Sequence, residues 1–256
     1  MSHTRPKLLT IGISHFCEKA RWALDWHGVD HDEASWPPGV HAIMARRYGA
    51  KSTALPILTI DQSDLIQGSG AIIDWADQNA EDVARRLTVA NALEIERRAD
   101  AVIGIHIRRL SYAKMLSRSA HLAKPALFHK ASPSHRLVAT MMWPVTRRLM
   151  IKAMDLGPGA AAQSHSILEA EFDWLDGILA DGRPYLAGEH FSRADIAVAS
   201  FLVPIVQPTE MPAFHNMALP QSLLSDFQRW RGRPVMRWTA TQYRQHRAPR
   251  KKMARA

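Results

Sequence analysis

Ser14-His15-Phe16-Cys17-Glu18-Lys19-Ala20-Arg21-Trp22 follows a short apolar run, Leu8 to Ile11, that ends at Gly12. The run reads as a buried strand. Cys17 to His27 reads as a helix, because Ala20, Ala23, Leu24 and Trp26 recur at helical spacing and Gly28 is placed to end it. A helix start presents unpaired N–H groups and a partial positive charge, which stabilise an anion. A thiolate is such an anion. A serine hydroxyl in the loop can donate one further hydrogen bond to it, about 1.5–3 kcal/mol for a charged acceptor. The plainer reading is that Ser14 only caps the helix.

Working outward, Val29 to Ser35 reads as a second strand, Trp36 to Gly39 as a loop and His41 to Tyr48 as a short helix. Leu55 to Ile60 and Asp64 to Ile66 look like strands joined by the polar turn Asp61-Gln62-Ser63, and Ser69 to Gln78 returns to helix. The order is βαβ, then α, then ββα, a compact α/β unit with one parallel pair and one hairpin. Two more segments in it could carry chemistry. Leu55 precedes Pro56 and can offer its backbone groups to an extended ligand in the manner of an added strand. Gly68-Ser69-Gly70 opens a helix and would suit a carboxylate, or Ser69 is an ordinary cap.

From about Thr88 the strand signals stop. Leu93 to Leu116 is a long helical pattern, with Ile95, Ala99, Val102, His106, Leu110 and Ala113 spaced by three and four. Ser117 to Ser134 reads as a loop or broken helix. Arg136 to Leu156 is helical with a kink expected at Pro144, and Gly157-Pro158-Gly159 breaks the chain. Leu168, Phe172, Leu175 and Leu179 mark another amphipathic helix. Ile196 to Val203 is apolar on all sides, as in a helix at the centre of a bundle. Ser222 to Trp230 and Val235 to Gln245 are the last helices. The expected domains are 1–82 (α/β), 83–247 (all-α bundle) and a basic tail, 248–256.

At 256 residues with 46% hydrophobic content, the chain can bury a sizeable core. Its net charge of +9 raises an acidic partner. From Phe227 onward there are ten Lys and Arg and no Asp or Glu, so the remaining body sums to −1. That placement argues against nucleic acid and for a solvated C-terminal face, with Trp230 and Trp238 packing inward. Cys17 is the only cysteine, which excludes an internal disulfide, a Cys-x-x-Cys pair and a multi-cysteine zinc site. His27 and His31 are four apart, but Gly28 ends the helix between them, so no metal site is expected. The longest apolar run is too short to span a bilayer, and no secretory apolar stretch opens the chain, so a cytosolic protein is expected.

Together the three segments resemble the N-terminal domain of the cytosolic glutathione transferase superfamily. Bacterial members commonly read as Ser14 to Trp22 does. The resemblance implies a thioredoxin-like α/β domain followed by an all-helical domain, glutathione as co-substrate, a small apolar electrophile as second substrate, no metal, and a twofold homodimer. It implies that Ser14 supports the glutathione thiolate, that Pro56 is cis, that Leu55 bonds the cysteinyl backbone of glutathione, and that Ser69 binds the γ-glutamyl carboxylate. A non-catalytic binding or regulatory protein of the same fold is the alternative.

The sequence departs from that pattern at Gly68, where the family usually carries an acidic residue or Gln. Gln67 is the nearest substitute, and Lys51 could reach the glycyl carboxylate. Cys17 holds the second position of Ser-x-x-Cys, so a buried, weakly reactive thiol is expected rather than a thiol-disulfide reductase. His15 reads as a loop histidine that could act as a base, Phe16 as a neighbour of the electrophile, and His106 as a core histidine or a pocket residue.

The second domain carries Phe191-Ser192-Arg193-Ala194-Asp195-Ile196, which reads as a helix N-terminus with Ser192 as N-cap, Asp195 at N3 and an apolar staple between Phe191 and Ile196. Asp195→Ala is expected to lower stability by about 1 kcal/mol while leaving turnover nearly unchanged. Chemical denaturation beside initial-rate kinetics checks this.

Overall fold

A computed structural model describes residues 5–61, 64–215 and 217–247, with the side chains of 117 and 118 outside the description. The expected tail, 248–256, lies outside the described residues. The first part orders β1 (Lys7–Thr10), α1 (His15–Trp26), β2 (Asp32–Ser35), α2 (Val40–Arg47), β3 (Ile57–Thr59), β4 (Leu65–Gln67) and α3 (Ser69–Gln78). The sheet order is β2-β1-β3-β4. β1 pairs parallel with β2 and antiparallel with β3, and β3 pairs antiparallel with β4. Alternation along the strands sends successive side chains to opposite faces. Leu8 and Leu58 join Ala20, Leu24, Ile72 and Ala76 under α1 and α3. Leu9 and Ile57 face the other way, toward Val40 and Ala45 of α2. Both faces of the central strands are covered, which is why β1 and β3 carry the adjacent apolar pairs Leu8-Leu9 and Ile57-Leu58.

The second part is helical: α4 (Ala92–Arg98), a wide π turn (Ala99–Ile103), α5 (Gly104–Arg118), α6 (Ala120–Leu127), α7 (Pro133–Ala153), α8 (Ala160–Ile178), α9 (Arg193–Val206), α10 (Pro212–His215), α11 (Gln221–Trp230) and α12 (Pro234–His246). The stretch expected as loop or broken helix contains α6, with Pro125 inside it, and the first turn of α7, opened by Ser132 as N-cap and Pro133 behind it. Every residue of α9 from Arg193 to Ile205 is buried, as the sequence predicts. The Asp195 carboxylate accepts from the Ser192 N–H at 2.8 Å, the Ser192 hydroxyl at 2.7 Å and the Leu186 N–H at 2.8 Å. Burial nevertheless raises its pKa to about 6.

The two parts are joined by α1 packing on α9 and on the α4–α5 helix. Lys19 of α1 is fully buried, with its Nζ 2.6 Å from Glu96 Oε1 and 2.6 Å from Asp100 Oδ1. Arg193, at the start of α9, pairs with the same Glu96 and reaches Asp74 of α3 at 2.6 Å. On the other side of α1, Arg247 holds Glu18 at 2.7 Å and Asp25 at 2.9 Å, while Arg21 reaches Glu18 and Glu33, both at 2.5 Å. Burial alone would raise the Glu33 carboxyl, but the Arg21 guanidinium holds it at about 2. The C-terminal arginines are therefore not one solvated face. Arg247 is buried, Arg231 caps the Ile205 carbonyl at 2.8 Å and Arg233 pairs with Glu169, Asp173 and Asp176. Trp230 is buried as expected, and Trp238 donates to the Pro184 carbonyl at 2.9 Å.

Removing one partner from a buried pair leaves the others uncompensated, at a cost of about 3–5 kcal/mol. Glu96→Gln leaves Lys19 and Arg193 facing each other across the interface. It should lower stability by about that amount in urea denaturation, whereas Asp181→Asn, which breaks an exposed pair with Arg183, should change it little.

Candidate active site

Ser14 sits between β1 and α1 as the N-cap of α1, its Oγ accepting from the Cys17 N–H at 3.3 Å. The same side chain also hydrogen-bonds the Cys17 thiol. Cys17 is fully buried and burial raises its thiol pKa, so its thiolate is disfavoured.

The Leu55–Pro56 peptide is cis. Among the described residues, the Leu55 N–H and C=O make no hydrogen bond, so they stand open to an extended ligand. Gly68, not Ser69, is the N-cap of α3, with φ +101°, a region that favours glycine. Its N–H is taken by the Pro56 carbonyl at 3.0 Å, and Ile72 makes the first intrahelical bond, to Gly68. The N–H groups of Ser69, Gly70 and Ala71 therefore form an open helix start beside the buried Ser69. Gln67 does not replace the missing acidic group. Its amide donates to the carbonyls of Ser52 at 2.9 Å and Ala54 at 2.8 Å and accepts from the Ser52 N–H at 3.3 Å, so it braces the loop before Leu55. Lys51 is exposed and forms no ion pair among the described residues.

His15 is corrected from a loop base to a packed, neutral ring, although it does border the cleft described below. It is the first residue of α1 and is buried against Phe16 and Phe201, with ring centroids 4.9 and 5.2 Å away. Its Nε2 donates to the Gly104 carbonyl at 3.0 Å. Burial, helped by the nearby Arg108 cation, lowers its pKa to about 3, so the ring is neutral. Gly104 follows the π turn, and a Cβ there would lie 2.7 Å from Phe16 Cζ and 3.1 Å from the Phe201 ring. The close approach explains the glycine. His106, the other histidine of the sequence reading, does not line the cleft. It faces α8, with Nδ1 3.1 Å from Ser164 Oγ. His27 turns to Asp77 at 2.9 Å and His31 to the Val29 carbonyl. Among the described residues, no three His, Cys, Asp or Glu are grouped to hold a metal ion.

A cleft of about 190 Å³ opens where these pieces meet. Ser14, Phe16, Thr53, Ala54 and Leu55 form its α/β wall, and Arg108, Ser111, Tyr112 and Met115 of α5 face them. Met150, Met154, Phe214 and Met217 close it with apolar surface. Roomier hollows of 540 and 640 Å³ lie elsewhere, the first lined by Tyr48 and Thr59, the second by the paired charges around Arg21 and Arg247. Neither touches Ser14 or Leu55. The sequence reading missed Arg108, Ser111, Tyr112 and His41. The first three and Met115 follow an i, i+3, i+4, i+7 pattern that was present but masked by the more apolar stripe through Leu110. Ser111 Oγ and His41 Nδ1 are buried without a partner at the cleft, and burial pushes the Tyr112 hydroxyl up to about 12.

His15 binds its proton at about 6.5 when unfolded and at about 3 when folded. The unfolded chain therefore binds more protons below pH 6.5, and stability falls as pH falls from there toward 3. His15→Gln keeps a donor but not the titration. The loss of stability between pH 7 and pH 5 should shrink by about 2 kcal/mol relative to the parent protein, read from urea curves at both pH values.

Residues 8–84 match the family model for the glutathione S-transferase N-terminal domain, and residues 158–236 match that for the C-terminal domain. No curated protein sequence matches. Among solved structures, a glutathione S-transferase of Ceriporiopsis subvermispora, CsGST63524, in complex with glutathione, is 16% identical with a TM-score of 0.63 over 94% of this chain and 96% of that one. The beta-etherase LigF of Sphingobium sp. strain SYK-6 is 14% identical, with a TM-score of 0.57 over 93% and 100%. Glutaredoxin 2 of Salmonella typhimurium, in complex with glutathione, is 16% identical, with a TM-score of 0.51 over 91% and 94%. With both halves matched to one family and the fold shared along nearly its whole length, the chain belongs to the glutathione S-transferase superfamily.

Proposed function

We propose that the protein is a glutathione transferase that reacts the glutathione thiolate with a small apolar electrophile. One observation carries this reading: the Ser14 side chain, at the start of α1, lines an apolar cleft whose near rim is the unpaired backbone of Leu55. The Leu55 N–H and C=O would pair with the cysteinyl unit, as an added strand does. The open start of α3 would receive the γ-glutamyl carboxylate. Ser14 then donates to the sulfur, and the thiol proton leaves to solvent. An ordinary thiol titrates near ~8.5, and each unit of lowering favours the thiolate by ~1.4 kcal/mol. Arg108, on the facing helix, adds positive potential. The thiolate forms the new S–C bond in the cleft lined by Phe16, Met115 and Met150, and with an aryl halide the C–halogen bond breaks and the halide leaves to solvent with its electron pair. A twofold dimer and a cytosolic location go with this reading.

A non-catalytic binding protein has one observation in its favour. Gly68 offers no side chain and Gln67 is committed to its own loop, so glutathione is held with fewer contacts. A reductase has none, since Cys17 is buried.

Ser14→Ala should lower turnover with a generic aryl halide about tenfold to a hundredfold and move the rate–pH midpoint upward, with retention on immobilised glutathione nearly unchanged. Ser14→Thr should keep most of the rate. Unchanged turnover in Ser14→Ala removes Ser14 from the mechanism, and a parent protein that ignores immobilised glutathione favours the binding-protein reading.

A further inference from the structure

Between Ala101 and Met154 the chain has ten Lys and Arg and no Asp or Glu. The near-neutral sum of the first 226 residues therefore hides a cationic block set in an acidic remainder. Part of the block is turned inward, as in the pairing of Lys114 with Asp226 and of Arg109 with Asp155. Lys124, Arg136, Arg148 and Lys152, on α6 and α7, have no carboxylate partner among the described residues.

The same helix pair has an apolar outer face. Leu137, Met141, Val145 and Leu149 are four apart on α7 and form one ridge, with Val138 beside it. They are 65%, 75%, 58%, 61% and 44% exposed, and they make up five of the eight large exposed apolar side chains among the described residues. Trp143, Ala139 and Thr146 cover the opposite face of α7 and are buried, so the ridge is not a helix turned inside out. Arg148 and Lys152 share the side of the ridge at its C-terminal end. At its N-terminal end, an open hollow of about 610 Å³ between α6 and α7 is lined by His121, Lys124, Arg136, Thr140 and Phe128. From Leu137 to Leu149 the ridge is about 18 Å long at 1.5 Å per residue.

We infer that α6 and α7 dock this protein on an anionic phospholipid surface. Leu137, Met141, Val145 and Leu149 would enter the boundary between headgroups and acyl chains, as the apolar face of an interfacial helix does. Arg148 and Lys152 would meet lipid phosphates, and Lys124 and Arg136 would hold one in the hollow between the helices. A second copy fits less well. Where α7 packs on α7 across a twofold axis, the helix has no acid to answer its own cations. Nucleic acid would answer the cations but not the ridge. Among the described residues no helix is long and apolar enough to cross a membrane, so attachment is to the surface only.

The experiment is co-sedimentation of the full-length protein with vesicles of phosphatidylcholine alone or with added phosphatidylserine, at low and high salt. The expected result is partitioning onto the phosphatidylserine vesicles that salt weakens. A double variant, Met141→Ser with Leu149→Ser, and a second, Arg148→Gln with Lys152→Gln, should each reduce it about tenfold or more. All four positions are exposed, so circular dichroism and thermal midpoint should not move, and Met141→Leu should bind like the parent protein. Equal or absent binding to the two vesicle types overturns the inference. So does light scattering in which the serine variant splits a dimer while vesicle binding is retained, because the ridge then belongs to a second copy.

Discussion

The rest of the molecule is arranged around a single carboxylate in a place without water. Glu96 is held between Lys19 of α1 and Arg193 of α9, all three buried, so the α/β part and the helical bundle meet through charge as well as through apolar packing. Three groups of this kind are costly to desolvate, and only close mutual pairing offsets that cost. The arrangement fixes how α1 lies on α9. That in turn fixes where the N-terminus of α1, with Ser14 on it, faces α5.

The motif through Trp22 was legible in the sequence as a motif, but most of its chemistry was not. Glu18, Lys19 and Arg21 look like a solvated charge run at a helix start. They are instead the inner surface of a helix sandwiched between two parts of the chain, and what shows this is the position of their partners Arg247, Glu96 and Glu33, between 12 and 229 residues away in sequence. The order of the first elements and the buried α9 could be read because short apolar runs bounded by turn residues and an all-apolar helix are local signals. The π turn before Gly104 could not, since a helical repeat over Leu93 to Leu116 carries no mark of one extra residue in a turn. His15 as a base and His106 as a pocket residue were misleading for a common reason, although His15 does border the cleft. Each has a polar atom that a backbone or hydroxyl group elsewhere in the fold claims first.

Charge shows the same limit at larger scale. The sum over the chain drew attention to the C-terminal end, yet Arg231, Arg233 and Arg247 are spent on carbonyls and carboxylates of α1, α8 and α9. Beside exposed arginines such as Arg229, Arg237 and Arg244 at that end, a group of cations without an acidic partner among the described residues lies mid-chain on α6 and α7, between the two segments that match the family models. A net charge is a property of composition; which part of it acts on a partner is settled by what the fold has already neutralised.

The rim at Leu55 has a consequence for selectivity by length. Ala54 gives its N–H to Ser52 Oγ and its carbonyl to Gln67, Pro56 has no N–H, and the Pro56 carbonyl is taken by Gly68. The unpaired backbone at this rim, just before β3, is therefore a single residue long. A longer edge would recruit any extended chain, including another protein's strand, and would be an aggregation hazard. An edge of one residue can hold a short peptide at its middle but cannot propagate a ladder. The fold thus keeps a β-pairing site open to small ligands while closing it to polymers.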